Sequence, residues 1–317
     1  MFALADVGHG IRRVTLPLPF GPEHVHCYLL PGADGWTLVD TGLALPGLAA
    51  ALGGVEVARI VVTHFHPDHV GGAEPAAVAT GAPVYQGALD YEQCERVWGS
   101  SDWPERMAAW FRRNGVPRDV ADQVIDEGEA ARPLIRFARD PLLLRAGDRL
   151  DGWQVVELPG HADGHLALFR DGVLLAGDHV LPDTTPAIGL YPDQRPDPLG
   201  DYLRSLRRTI ELAPALVLPA HGEPIGEPTS RARELLEHHR LRLEETAAAL
   251  GVEPRTGYDV SLAVFPDELS PSGRRFAVAE SLSHIQRLVA SGRAARAEND
   301  GIVAYTGPED LGRTPSE

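Results

Sequence analysis

The chain has 317 residues, 44% hydrophobic and 23% charged, enough apolar content for one large domain or for a main domain with an appendage. Its net charge of -16, from 45 Asp plus Glu against 29 Lys plus Arg, argues against recruitment by nucleic acid or an anionic membrane. Every one of those cations is an arginine, which excludes enzymes built on a lysine nucleophile or a Schiff base.

Cys27 and Cys94 match no CxxC or zinc-ribbon spacing, so they read as small buried hydrophobes. No stretch reaches the length of a bilayer span and Met1 to Arg13 lacks a leader pattern, so the expected setting is the cytoplasm. In chain order, Ile11 to Leu16, Val25 to Leu30 and Trp36 to Val39 predict strands, the last two joined at Pro31 to Gly35. Pro46 to Leu52 predicts a short helix, and Arg59 to Thr63 a buried strand that ends in histidines.

A small-residue helix near Val70 to Ala79 and a strand near Val84 precede a helical, aromatic insertion over about 89–136. Strand signals resume at Gln154 to Leu158, Leu166 to Phe169, Val173 to Ala176 and Leu216 to Leu218, with a helix over Pro198 to Leu212. The alternation predicts an α/β fold for residues 1–229. A linking helix from Ser230 to Leu250 opens a second domain, 230–317, with a helix from Ser272 to Gly292 and a hairpin turning at Glu298 to Gly301. That order predicts a winged-helix-like module.

Thr63-His64-Phe65-His66-Pro67-Asp68-His69 follows the buried strand directly, and alternate spacing lets His64 and His66 point the same way while Asp68 and His69 follow on the next turn. Four metal-ligand side chains in six residues predict a metal site. His161, Asp178 and His221 each follow a predicted strand, so all can converge on one sheet edge.

This pattern resembles the metallo-β-lactamase-fold hydrolase superfamily, marked by HxHxDH and then separate His, Asp and His ligands. The resemblance covers about Ile11 to Gly226 and implies an αββα sandwich. It also implies that His64, His66 and His161 hold one metal, that Asp68, His69 and His221 hold a second, and that Asp178 bridges them. Asp68 and Asp178 are then the catalytic carboxylates. Asp40, in Val39-Asp40-Thr41-Gly42, is expected to hydrogen-bond the HxHxDH loop, and His165 to support the site without touching metal. The tail resembles the C-terminal module of the branch that includes β-lactamase-like protein 2.

Imidazole and carboxylate ligands suit two zinc ions, with iron or manganese also compatible, and a bridging hydroxide would attack an acyl carbon. The expected substrate is a small acyl thioester or an ester, lactones included; the alternative is a metal-dependent endoribonuclease of the β-lactamase-like protein 2 type. Gly222 and Glu223 stand where glyoxalase II has its glutathione-gripping tyrosine, and Leu181 stands where acyl-homoserine lactonases have theirs. Asp178 replaces the cysteine of zinc β-lactamases, and His66 the glutamate of flavodiiron proteins.

Trp103, Met107 and Trp110 either wall an acyl pocket as a lid or are a helix stripe packed in a core. Tyr191 and His179 are the other expected pocket residues. His24 and His26 share one strand face, which either approaches the site or, the favoured reading, is a partly exposed surface. In the tail, Arg274, Arg275, Arg287, Arg293 and Arg296 are interleaved with Glu268, Glu280, Glu298 and Asp300, which favours packing or homodimer contacts over nucleic acid.

Overall fold

Alternating β-branched runs closed by Gly, Pro and Asp turns build two sheets whose inner faces share one core. In the structure, a computed structural model that describes residues 4–19, 21–266 and 268–307, the first sheet has seven strands in chain order. They are β1 (Ala5–Asp6), β2 (Arg12–Pro17), β3 (His24–Gly32), β4 (Gly35–Val39), β5 (Val57–Val62), β6 (Val84–Gly87) and β7 (Leu142–Leu144). The first four strands pair antiparallel, and β4 to β7 pair parallel.

Helices α1 (Gly47–Ala51), α2 (Pro67–Val70), α3 (Ala73–Thr80) and α4 (Ala88–Val97) supply the crossovers, and α1, α3 and α4 contact strands of this sheet. Such crossovers are what parallel pairing requires. After α5 (Trp103–Arg113) and α6 (Arg118–Ala131), the second sheet contains β8 (Arg149–Leu150), β9 (Trp153–Glu157), β10 (Leu166–Arg170), β11 (Val173–Gly177) and β12 (Leu216–Pro219). Helix α7 (Pro198–Leu212) leads into β12, which lies parallel to β11.

Tyr28, Leu30, Val39 and Val61 of the first sheet meet Trp153, Val155, Leu166, Leu168 and Leu175 of the second in one buried cluster. Each fully buried side chain of this size contributes roughly 1.5–3 kcal/mol against exposure, so this interface holds the sandwich together.

Packing divides the chain into two compact units, the first made of 1–101, 131–186 and 205–232, the second of 102–130, 187–204 and 233–317. The expected division after residue 229 falls inside α8 (Pro228–Leu250), close to where the packing changes at Arg233. The ends of the two expected domains, 1–3 and 308–317, lie outside the described residues.

The second unit adds β13 (Arg255–Thr256), α9 (Gly257–Val264), α10 (Pro271–Ala290), β14 (Ala295–Asn299) and β15 (Ile302–Thr306), with sheet order β13-β15-β14. Its core joins Met107, Phe111, Ala121 and Val124 to Leu250, Val260, Leu282, Ile285 and Tyr305. The expected insertion is therefore split. Helix α4 contacts β6 of the first unit, whereas α5 and α6 belong to the second.

Candidate metal centre

Each candidate ligand follows the C-terminal end of a strand: His64 to His69 after β5, His161 after β9, Asp178 after β11 and His221 after β12. Pro67 occupies the first turn of α2, and His66 before it is extended, with φ -64° and ψ 150°. That abrupt change puts Asp68 and His69 on a helical turn, where both are buried with His64.

His64 Nε2 lies 3.0 Å from His66 Nδ1, which is 2.8 Å from His161 Nε2. His221 Nε2 lies 3.3 Å from Asp68 Oδ2, and His69 Nε2 lies 3.6 Å from the same oxygen. Asp178 sits between these two sets, its Oδ2 3.5 Å from His161 Nε2 and its Oδ1 3.4 Å from His69 Nε2 and 3.3 Å from His221 Nε2. The ligand atoms within each of the sets His64/His66/His161, His64/His69/Asp178 and Asp68/His69/His221 lie within 4.8 Å of one another.

These residues fit divalent metal. Tetrahedral nitrogen ligands about 2.0–2.1 Å from zinc stand about 3.3 Å apart, close to the spacings here. His69 Nε2 and Asp178 Oδ1 are buried and, among the described residues, make no well-aligned hydrogen bond; they face each other at 3.4 Å across the centre, an arrangement that a cation bound between them would satisfy.

The electrostatics point the same way. Burial, and then the neighbouring imidazoles, hold His64 and His66 well below the usual histidine range, so both are neutral ligands. Burial opposes protonation of His69 and His221 too, but the nearby carboxylates outweigh it. Asp68, Asp178 and Asp40 raise His69 well above that range, and Asp178 chiefly raises His221, to about 10. Those protons supply the positive charge that the carboxylates demand, and metal binding would displace them.

The supporting contacts fix tautomers. Asp40, a left-handed residue at φ 61°, accepts from Thr63 N at 2.7 Å and Thr63 Oγ1 at 2.8 Å. It also lies 2.8 Å from His69 Nδ1, so that nitrogen donates and Nε2 faces the centre. Thr63 Oγ1, having given its proton to Asp40, accepts from His64 Nδ1 at 3.0 Å and likewise turns Nε2 inward. Asp40 thus grips the loop as expected from the sequence. His165 stacks on His64 at 4.9 Å between ring centroids, with both its own nitrogens buried and without hydrogen bonds among the described residues, so it meets the site by packing.

Two supports escaped the sequence reading, and two more had the less favoured of their two readings. Asp90 Oδ1 accepts from Phe65 N at 2.9 Å and Trp98 Nε1 donates to Phe65 O at 2.8 Å, so the backbone between His64 and His66 is held on both sides. His24 and His26, for which a surface face was the favoured reading and approach to the site the other, bond the turn that carries His221.

Other expectations need correction. His179 is fully buried and bonds Thr209 Oγ1 at 2.8 Å, which ties it to α7 rather than to a pocket. Thr209 gives its own proton to Ser205 O, so His179 Nε2 donates. Met107 is buried in the core of the second unit, with Trp103, Trp110 and Tyr191 half-buried against the same cluster. Trp110 stacks on Tyr191 at 5.7 Å, and Arg275 lies 5.7 Å over Tyr191. The stripe therefore packs in that core.

This sandwich with strand-end histidines and aspartates defines a metallo-hydrolase fold. Residues 20–221 match the family model of the metallo-beta-lactamase superfamily, and residues 243–308 match a metallo-beta-lactamase-like C-terminal domain. The chain belongs to that superfamily and is a metal-dependent hydrolase.

It is 31% identical over 280 residues to a probable metallo-hydrolase, YqjP, of Bacillus subtilis (strain 168), covering 81% of this chain and 85% of that one. A Drosophila melanogaster beta-lactamase-like protein 2 homolog is 26% identical over 70% of this chain and 67% of its own. Among solved structures, a metallo-beta-lactamase family protein from Thermus thermophilus superposes with TM-score 0.82 at 32% identity, covering 96% of this chain and 100% of that one. A beta-lactamase domain protein from Burkholderia ambifaria reaches TM-score 0.85 at 29% identity, covering 96% and 94%.

Proposed function

We propose that the protein is a dinuclear zinc hydrolase of a small acyl substrate, a thioester or an ester including lactones. The observation that carries the reading is Asp178, whose two oxygens face two separate groups of ligands. His64, His66 and His161 would hold one ion, Asp68, His69 and His221 the other, with Asp178 shared. Zinc, when bound there, polarises an acyl carbonyl and brings the pKa of a coordinated water toward neutrality.

The chain's own residues do the rest. Asp40 and Thr63 keep the outer nitrogens of His69 and His64 protonated, so neither ring can turn its lone pair away. With no lysine in the sequence, attack by a lysine amine is excluded. The buried free thiols Cys27 and Cys94 are consistent with a reducing cytoplasm.

The second unit runs helix, strand, two helices and a two-stranded hairpin from α8 to β15, which supports the winged-helix-like reading. The five arginines singled out in its tail are already engaged, which weighs against the endoribonuclease alternative. Arg287 pairs with Asp197, Arg293 with Glu244 and Arg296 with Glu298. Arg274 is buried and donates to the carbonyls of Ser261 and Pro266, and Arg275 covers Tyr191 and Phe276. A packing or homodimer role suits that surface better than RNA.

The test is hydrolysis by zinc-loaded protein of acyl-CoA, S-acyl-glutathione and lactone substrates beside a single-stranded RNA, with Asp178→Ala as the contaminant control. Turnover of a thioester or lactone that disappears in the variant is the expected result. RNA cleavage alone, lost in the variant, would overturn it.

A further inference from the structure

We propose that His26 is a positioning residue of the second metal subsite, acting through the Ala220-His221-Gly222 turn to fix the direction of His221, whose tautomer the His24 carbonyl sets. The inference rests on the dinuclear reading above and gives work to residues that the reading leaves unused.

Strand β3 runs antiparallel to β4, so its first residues reach the same sheet edge as the ends of β4 and β5. There it grips the turn after β12 at successive points. His26 N donates to Ala220 O at 2.7 Å, and His221 Nδ1 donates to His24 O at 2.6 Å. Gly222 N donates to His24 Nε2 at 3.3 Å. His26 Nε2 lies 3.0 Å from Gly222 O, and its Nδ1 lies 3.0 Å from Thr15 Oγ1.

The donor and acceptor roles follow from chemistry. A carbonyl only accepts, so His26 Nε2 carries the proton and Nδ1 takes one from the Thr15 hydroxyl. His26 is thereby a rigid bridge from β2 to the ligand turn, and it is buried. With Nδ1 of His221 committed to His24 O, only Nε2 can face Asp68 and Asp178.

Gly222 has φ +81°, a left-handed conformation that glycine alone adopts without strain, so the backbone of this turn does not fix itself and the bond from His26 Nε2 holds its carbonyl. Both ring nitrogens of His26 are committed to Thr15 and Gly222, so its effect falls first on the ion that His221 would hold.

The experiment strips the full chain of metal and titrates it with zinc against a chromophoric chelator, with bound metal counted independently. Wild type is expected to take two ions. His26→Ala should keep one ion at wild-type affinity and bind the second about 10–100-fold more weakly. His26→Gln, whose amide nitrogen reaches the position of Nε2, should recover most of that loss. Thr15→Val, which removes the donor to Nδ1, should weaken the second ion in the same direction by less.

Two ions at unchanged affinity in His26→Ala, or equal weakening of both, would overturn the inference while leaving the dinuclear reading intact. Fewer than two ions in wild type would remove both together. If His26→Ala does not fold, Thr15→Val decides, and unchanged binding of the second ion overturns the proposal.

Discussion

The centre is built from side chains whose outer atoms are committed before any metal arrives. His69 is tied to Asp40, His64 to Thr63 and His221 to the His24 carbonyl, which leaves Nε2 of each for the interior. The first two ties share one network, since Thr63 Oγ1 donates to Asp40, whereas the third comes from β3, so His221 can be perturbed apart from His64 and His69. Asp178 is the exception because it faces both groups. Asp178→Ala is expected to lose both ions, whereas His161→Ala should deplete chiefly the ion shared with His64 and His66. Metal analysis of the purified variants checks this, and two ions per chain in either variant would contradict the assignment.

Among the elements, most of the strands were legible because their alternation is local, and the helix at 198–212 has the span expected from its pattern. Helix α9 was missed, although Thr256-Gly257-Tyr258-Asp259 carries a capping signal. Thr256 Oγ1 accepts from Asp259 N at 3.2 Å, and Asp259 Oδ2 accepts from Thr256 N at 2.9 Å. The reciprocal pair satisfies two donors that a helix start otherwise leaves open. Thr256→Ala should therefore cost about 1 kcal/mol, read as a lower urea midpoint with little change in zinc binding. The aromatic insertion was legible as helical, but its pattern could not say which core α5 would join. That choice depends on partners such as Val260 and Ile285, more than a hundred residues away.

Across the molecule as a whole, the second unit carries a titration of its own, away from the metal ligands. Burial pushes the Glu280 carboxyl up to about 7 despite the opposing charge of Arg242. The folded state then holds a proton that the unfolded chain has released across the window from the ordinary value of 4.5 to about 7. Stability from this group is thus greatest in acid and falls as pH rises through that window. Glu280→Gln should raise the melting temperature more at pH 8 than at pH 5, measured in chelator so that metal occupancy does not change with pH. An equal shift at both pH values would show that the carboxyl titrates normally.

Local pattern along the chain was enough to predict the α/β class and to point to the seven candidate ligands and their order, since each follows a run whose alternation is written in neighbouring residues. The Asp40 support was legible too, through resemblance to a known pattern. The folded arrangement was needed to place Asp178 between two ligand groups, to turn His24 and His26 of β3 toward His221, and to part α5 and α6 from α4 for another core. Those outcomes depend on strand direction and on pairings between residues far apart in the chain: His26 meets Gly222 across 196 positions. No local periodicity encodes such a meeting, because it exists only once the two sheets have closed on their shared core.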